Sequence, residues 1–514
     1  MLFNSYAFLL LFLPVTLIGY FISAKRSDTM AAGWLLVASL FFYGWWDYRY
    51  LPLLTGSICF NYWCSGCIRS AGDKARMRWL TGAVAANLCL LAYYKYAGFF
   101  LSALSDISGH SFPALHILLP IGISFFTFTQ IAFLVDTAQG KVNEARFLHY
   151  GLFVTYFPHL IAGPVLHHKE MMPQFADLKN YTFSPNNFAV GFTIFVIGLA
   201  KKVLIADNLA PYANQIFDHP GSPSFFVTWG WVLAYAFQLY FDFSGYSDMA
   251  IGLSRLFGVR LPLNFDSPYK AHNIIEFWRR WHMTLSRFLR DYLYIALGGS
   301  RLGTFRRFTN LMITMVLGGL WHGAGWKFII WGALHGVFLV INHAFQALGN
   351  RFKRQVPLAG TRPLSTALTF IAVCFAWVFF RAADVHVAVE MVHAMIGGAG
   401  VAIPSAVGNR LGPLQAFFEN AGVTFFLGGG TSFIETWSLV LVAAIVAFAA
   451  PNTQEIMRRF APALDFHFAK LNPAFLVRKL EWQPSPRWAL YIAVLTVACV
   501  LALNRPSEFL YFQF

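Results

Sequence analysis

The chain has 514 residues, of which 57% are hydrophobic, 18% aromatic and only 12% charged, a balance far from that of soluble globular domains. It reads as a polytopic membrane protein. The formal net charge of +15 does not point to nucleic acid, because the basic residues fall in short runs between apolar spans, as in cytoplasmic loops facing anionic lipid.

A helix that crosses a bilayer takes about 20 apolar residues. Candidate spans follow one another at 6–23, 31–47, 51–68, 79–101, 113–135, 147–166, 187–206, 224–241, 307–330, 328–346, 364–381, 433–450 and 486–504, some of them re-entrant or broken. The first has no positive residue ahead of it and Lys25 and Arg26 behind it, the reverse of a secretory signal, so it reads as a span with an external N-terminus. Arg69, Lys74, Arg76 and Arg78 mark a cytoplasmic loop and leave the Asp47-Tyr48-Arg49 turn outside. Arg478, Lys479 and Arg487 precede the last span and place the tail outside, which predicts an even number of crossings. Cys64 and Cys67 have C-x-x-C spacing but no second pair, and all six cysteines lie in or beside apolar runs. They read as packing residues, not as a metal site. With no internal repeat or long linker, residues 1–514 are expected to form one membrane domain, with 262–306 amphipathic on the cytoplasmic side and 505–514 an external tail.

Four stretches carry polar chemistry at membrane depth. Residues 156–164, Y-F-P-H-L-I-A-G-P, break a span with two prolines and suit a re-entrant turn lining a cavity. Residues 238–248, Q-L-Y-F-D-F-S-G-Y-S-D, hold Asp242 and Asp248 six residues apart, on different faces of a helix. That spacing argues against a catalytic carboxylate pair and favours partners, a histidine to orient or an arginine to neutralise. Between Lys270 and Arg307, Phe277, Trp281, Leu285, Phe288 and Tyr292 recur at helical spacing among arginines, predicting an amphipathic interfacial helix. His282 lies on it. Arg279, Arg280 and Arg287 would attract the phosphates of a coenzyme A or phosphopantetheine donor, with lipid headgroup contact as the alternative.

The fourth stretch, Leu317–His343, reads L-G-G-L-W-H-G-A-G-W-K-F-I-I-W-G-A-L-H-G-V-F-L-V-I-N-H. An imidazole at membrane depth is costly without a partner or a task, and Gly318, Gly319, Gly323 and Gly325 suit bent backbone or close packing around His322. As a general base, His322 would take the proton of an alcohol attacking an activated acyl carbon; the alternative is a histidine bonded to a neighbouring helix. On one straight helix His335 would lie about 20 Å away and roughly 220° round, which favours a buried contact between helices for that residue. Walker-type loops, H-E-x-x-H and G-x-S-x-G are absent, leaving base-catalysed group transfer. Composition alone also allows a polysaccharide or lipid transporter, but that calls for polar groups spread along the spans, whereas here they concentrate in a few motifs around one histidine.

P-I-G-I-S-F-F-T-F from Pro120, F-P-H-L-I-A-G-P from Phe157, Q-L-Y-F-D-F-S-G-Y-S-D-M-A-I-G from Gln238, F-W-R-R-W-H-M-T-L-S from Phe277, G-L-W-H-G-A-G-W from Gly319 and W-V-F-F-R-A from Trp377 together resemble the membrane-bound O-acyltransferase family. The likeness is greatest to the branch that O-acetylates alginate at the bacterial inner membrane, with the teichoic acid D-alanyl and cellulose acetylation branches as relatives. The resemblance implies an all-α helical ring around a transmembrane funnel or tunnel. It also implies acetyl-CoA or acetyl-acyl carrier protein as a thioester donor from the cytoplasm, used as substrate and not as a bound cofactor, and periplasmic acetyltransferase partners. It puts His322 in the place of the catalytic histidine and His282 in that of a second one, with Thr284 where some relatives have Ser. The ending F-L-Y-F-Q-F from Phe509 resembles the tail of a small membrane partner in the D-alanyl system, and this likeness implies Tyr511 as an acyl relay entering from outside. An aromatic interfacial anchor is the alternative.

Overall fold

The computed structural model describes all residues except 114, 116, 143–145, 162, 219–222, 352–357, 465–474, 504–509 and 511–514. Among the described residues, seven helical segments are long and apolar enough to cross a membrane: Ala7–Ala24, Asp28–Ser70, Asp73–Ser108, Pro185–Gln215, Trp326–Gly349, Thr361–Arg381 and Gly430–Ala449. Large apolar residues such as Leu10, Ile18, Val37, Ile341 and Val494 stay exposed, the surface that a lipid environment requires. The segment Asp28–Ser70 is two helices, because Asp47 is extended at φ −156° and its carboxylate caps the Arg49 N–H at 3.0 Å. The expected spans at 113–135 and 486–504 are represented by the shorter apolar helices Ile123–Ala138 and Pro486–Ala502. The only strands among the described residues are the parallel pair Ala402–Pro404 and Thr424–Phe426, so the class is all-α, as expected.

The expected span at 224–241 is longer than the hydropathy implies. The helix Phe225–Leu256 runs 32 residues, about 48 Å at 1.5 Å per residue, and buries even Asp242, Ser247, Asp248 and Arg255. Two glycine pairs seat the helix Pro185–Ala200 against it. A Cβ added at Gly198 would lie 2.6 Å from the Gly245 carbonyl oxygen, and one at Gly252 would lie 2.6 Å from that of Gly191. Such close backbone approach is what small residues provide between membrane helices. The first helix then widens into the π-helical turn Lys201–Ala206. From it Lys201 reaches Asp248 at 2.6 Å and Lys202 reaches Asp242 at 2.7 Å. The two carboxylates are therefore neutralised by lysines, not by the arginine or histidine expected of them.

Three further expectations meet the structure. Residues 147–166 are broken as predicted, into Phe147–Thr155 and Phe157–Leu160, and the non-helical backbone between is buried in protein. The apolar spacing from Phe277 to Phe288 does mark a buried face, but the helix is not continuous: it stops at Arg280 and restarts at Met283, with His282 between. Leu317–His343 is likewise a hairpin and not one bent segment. The helix Gly303–His322 ends at the histidine, and Trp326–Arg351 runs back beside it. Gly318 and Gly319 lie inside the first helix, where Gly319 serves close packing; opposite it, a Cβ at Gly332 would sit 2.3 Å from the Met315 carbonyl oxygen.

Candidate active site

His322 is the last residue of its helix, and Gly323 continues in extended conformation at φ −162°. The imidazole sits in an aromatic cage, with ring centroids of Trp321, Trp331 and Phe380 at 4.9, 5.2 and 5.2 Å. Its Nδ1 is buried with no hydrogen-bond partner among the described residues. The residue keeps 7% exposure, so the cage is not sealed.

His282 lies 6.4 Å from His322, ring to ring, and packs on Phe243 at 4.8 Å. The break that places it there has a local cause. Asn264 accepts the Met283 N–H on its backbone oxygen at 2.9 Å, and its Oδ1 accepts from the Thr284 N–H at 3.3 Å and the Thr284 hydroxyl at 2.8 Å. His282 is thereby held at φ 44°, a left-handed conformation that costs a non-glycine residue about 1–2 kcal/mol. Because the Thr284 N–H can only donate, the atom it meets on Asn264 is oxygen. His282 Nδ1, 3.1 Å from that oxygen, is then the protonated nitrogen. Its Nε2 is left with a lone pair and no partner among the described residues. Burial pushes the His282 imidazole down to about 3, so it acts as a neutral ring near neutral pH.

His335 makes a buried polar contact between helices, the reading that helix geometry favoured. Trp278 Nε1 donates to its Nδ1 at 3.3 Å, and Trp331 packs between it and His322 at 4.9 Å from its ring. Trp377 stacks on Trp331 at 5.7 Å, so the F-W-R-R-W-H, G-L-W-H-G-A-G-W and W-V-F-F-R-A motifs, far apart in sequence, meet in this one cage.

A cleft of about 650 Å³ runs beside Met283 and Thr284, the residues that follow His282, and Arg279, Arg287 and Arg290 line it. Arg287 is held in a two-pronged pair with Glu170 at 2.6 and 2.8 Å. Arg280 does not line the cleft and is bonded to Glu276 at 2.9 Å. The three arginines singled out in the sequence therefore divide, two on the cleft and one turned to its own helix; Arg290 was not singled out. The Leu510 N–H donates to Asp242 Oδ2 at 3.0 Å, and Leu510 is buried. This brings Leu510 to the turn of Phe225–Leu256 that also carries Phe243. Tyr511 itself lies outside the described residues.

Asn264 was missed in the sequence, although L-P-L-N-F-D-S-P, a proline-bounded run directly ahead of the basic helix, is a turn signal. Lys95 was missed as well. Its Nζ donates to the Trp321 carbonyl and, at 3.3 Å, to that of His322. A lysine in the middle of L-L-A-Y-Y-K-Y-A-G-F-F is the kind of intramembrane charge that marks a site.

Two buried histidines thus share an aromatic cage among apolar helices, and an arginine-lined cleft runs beside the residues that follow one of them. Residues 40–383 match the model of MBOAT, the membrane-bound O-acyltransferase family. The chain belongs to that family and is a multi-pass membrane O-acyltransferase. A peptidoglycan O-acetyltransferase of Helicobacter pylori is 46% identical over 431 residues, covering 78% of this chain and 81% of that protein. A probable alginate O-acetylase AlgI of Pseudomonas putida is 40% identical over 525 residues, covering 100% of both. A teichoic acid D-alanyltransferase of Bacillus subtilis is 29% identical over 331 residues, covering 59% of this chain and 78% of that protein.

Proposed function

We propose that this protein carries the inner-membrane step in O-acetylation of an exported polysaccharide, taking acetyl from a cytoplasmic thioester, coenzyme A or acyl carrier protein, with both of its own termini in the periplasm. The observation that carries the reading is the pairing of His322 and His282 in one aromatic cage beside the arginine-lined cleft. An acceptor hydroxyl attacks the thioester carbonyl while His322 takes its proton. The tetrahedral intermediate collapses to an oxygen ester, and the departing thiolate takes that proton from the imidazolium. Atoms and charge balance without a metal. His282 places the donor, and Arg279 and Arg287 meet its phosphates.

Alginate is the polymer supported by full-length likeness to the Pseudomonas putida protein. Peptidoglycan is the second reading, on the higher identity to the Helicobacter pylori protein. The acceptor at this site is Tyr511, which carries the acetyl group as an aryl ester to a periplasmic transferase. Burial of Leu510 against Asp242 supports this over an interfacial anchor, which would lie in the headgroup region. The test is to incubate the purified protein with acetyl-CoA or acetyl-acyl carrier protein and follow free thiol together with acetyl-tyrosine. Release of thiol is expected; a transporter would release none.

A further inference from the structure

Lys95 is a polar group the proposed reaction leaves unused. It lies in the π-helical turn Ala92–Tyr96 of the segment Asp73–Ser108, more than 200 residues from His322 in sequence. Its Nζ donates to the Trp321 carbonyl, to the His322 carbonyl at 3.3 Å and to Ser124 Oγ at 3.3 Å. The next residue, Tyr96, donates its hydroxyl to the Leu320 carbonyl at 2.9 Å. Three consecutive carbonyls, 320 to 322, are thus taken up by two neighbouring side chains. These are carbonyls that the last turn of a helix leaves without intrahelical partners.

The helix that carries His322 has a cheaper way to end. Gly323 follows it, and a glycine in the left-handed conformation would satisfy such carbonyls with backbone N–H groups. Gly323 is extended instead, and a lysine at membrane depth, costly in itself, does the work. The donors to the turn that holds the imidazole thus come from another helix.

We propose that Lys95, with Tyr96, is a positioning residue for acyl transfer: it clamps the C-terminal turn of Gly303–His322 and so sets the His322 imidazole at reacting distance. This rests on His322 acting as the base. Displacement of a reacting group by about 1 Å costs on the order of 100-fold in rate. Lys95 also borders a cavity of about 120 Å³ with Trp46, Gly122 and Ser124, which leaves room for the larger guanidinium of arginine.

The test uses purified full-length protein and measures kcat and donor KM for thiol release. Lys95→Met is expected to lose about 100-fold in kcat with KM within about two-fold, and Lys95→Arg to recover at least about ten-fold of that loss. A Lys95→Met enzyme within about three-fold of the wild-type kcat, or a Lys95→Arg enzyme as slow as Lys95→Met, would overturn the proposal. If Lys95→Met yields no folded protein, Tyr96→Phe decides: a fall of about ten-fold in kcat at constant KM is expected, and an unchanged kcat overturns it. His322→Ala measured alongside separates the two claims. An active His322→Ala enzyme removes the base and the clamp together, whereas an inactive one beside a fully active Lys95→Met enzyme removes only the clamp.

Discussion

His322 and His282 are held in different ways, and the difference suits the tasks proposed for them. His322 has an unpartnered Nδ1, residual exposure and a cage of aromatic rings; His282 has its Nδ1 proton engaged by Asn264 and its backbone forced left-handed. The second is a fixture, and Asn264 is what fixes it. Replacing Asn264 by Leu leaves the His282 and Thr284 donors buried and unpaired, at about 1–3 kcal/mol for each such group. The Asn264→Leu protein is therefore expected to show a lower thermal unfolding midpoint in detergent and slower thiol release. An unchanged midpoint with unchanged rate would mean that Asn264 does not hold the break at His282.

At the scale of elements, the site depends on how closely the hairpin Gly303–His322 and Trp326–Arg351 can pack. A side chain at Gly332 meets the Met315 carbonyl oxygen at 2.3 Å, and backbone cannot yield cheaply, whereas one at Gly318 meets only the end of Leu289 at 3.1 Å. Gly332→Val should thus lose stability by about 1–3 kcal/mol or more through overpacking and slow the enzyme, while Gly318→Ala stays near wild type. Equal behaviour of the two in unfolding and thiol-release assays would contradict the close-packed hairpin. Much of this level was legible in the sequence: most span positions and the buried face from Phe277 to Phe288 follow from hydrophobic spacing, and the broken stretch at 156–164 from its two prolines. The break at His282 and the end of the helix at His322 were not, because the groups bonded to each lie elsewhere in the chain, Asn264 in one case and Lys95 with Tyr96 in the other. The lysine partners of Asp242 and Asp248 were missed for a related reason. Lys201 and Lys202 fall near the end of the span expected at 187–206, and it is from the π-helical turn there that both reach the central helix.

For the whole molecule, the motifs that hold Phe243, His282, His322 and Phe380 converge around the two histidines although Phe243 and Phe380 are 137 residues apart in sequence. Spacing could nominate each histidine but not their separation of 6.4 Å. The tail belongs to this scale, since Leu510 is held by Asp242, 268 residues away. Tyr511→Phe keeps the aromatic ring and removes one hydroxyl, so under the proposed relay it is expected to abolish acetylation of the exported polymer in cells while the protein still inserts. Full acetyl content in that strain would sink the relay and restore the anchor. The claim on which the rest hangs is that His322 is the base. It is tested most directly by thiol release from acetyl donor by purified His322→Ala protein whose folding matches wild type: a loss of about 100- to 10,000-fold in kcat is expected, and a rate equal to that of wild type would contradict it.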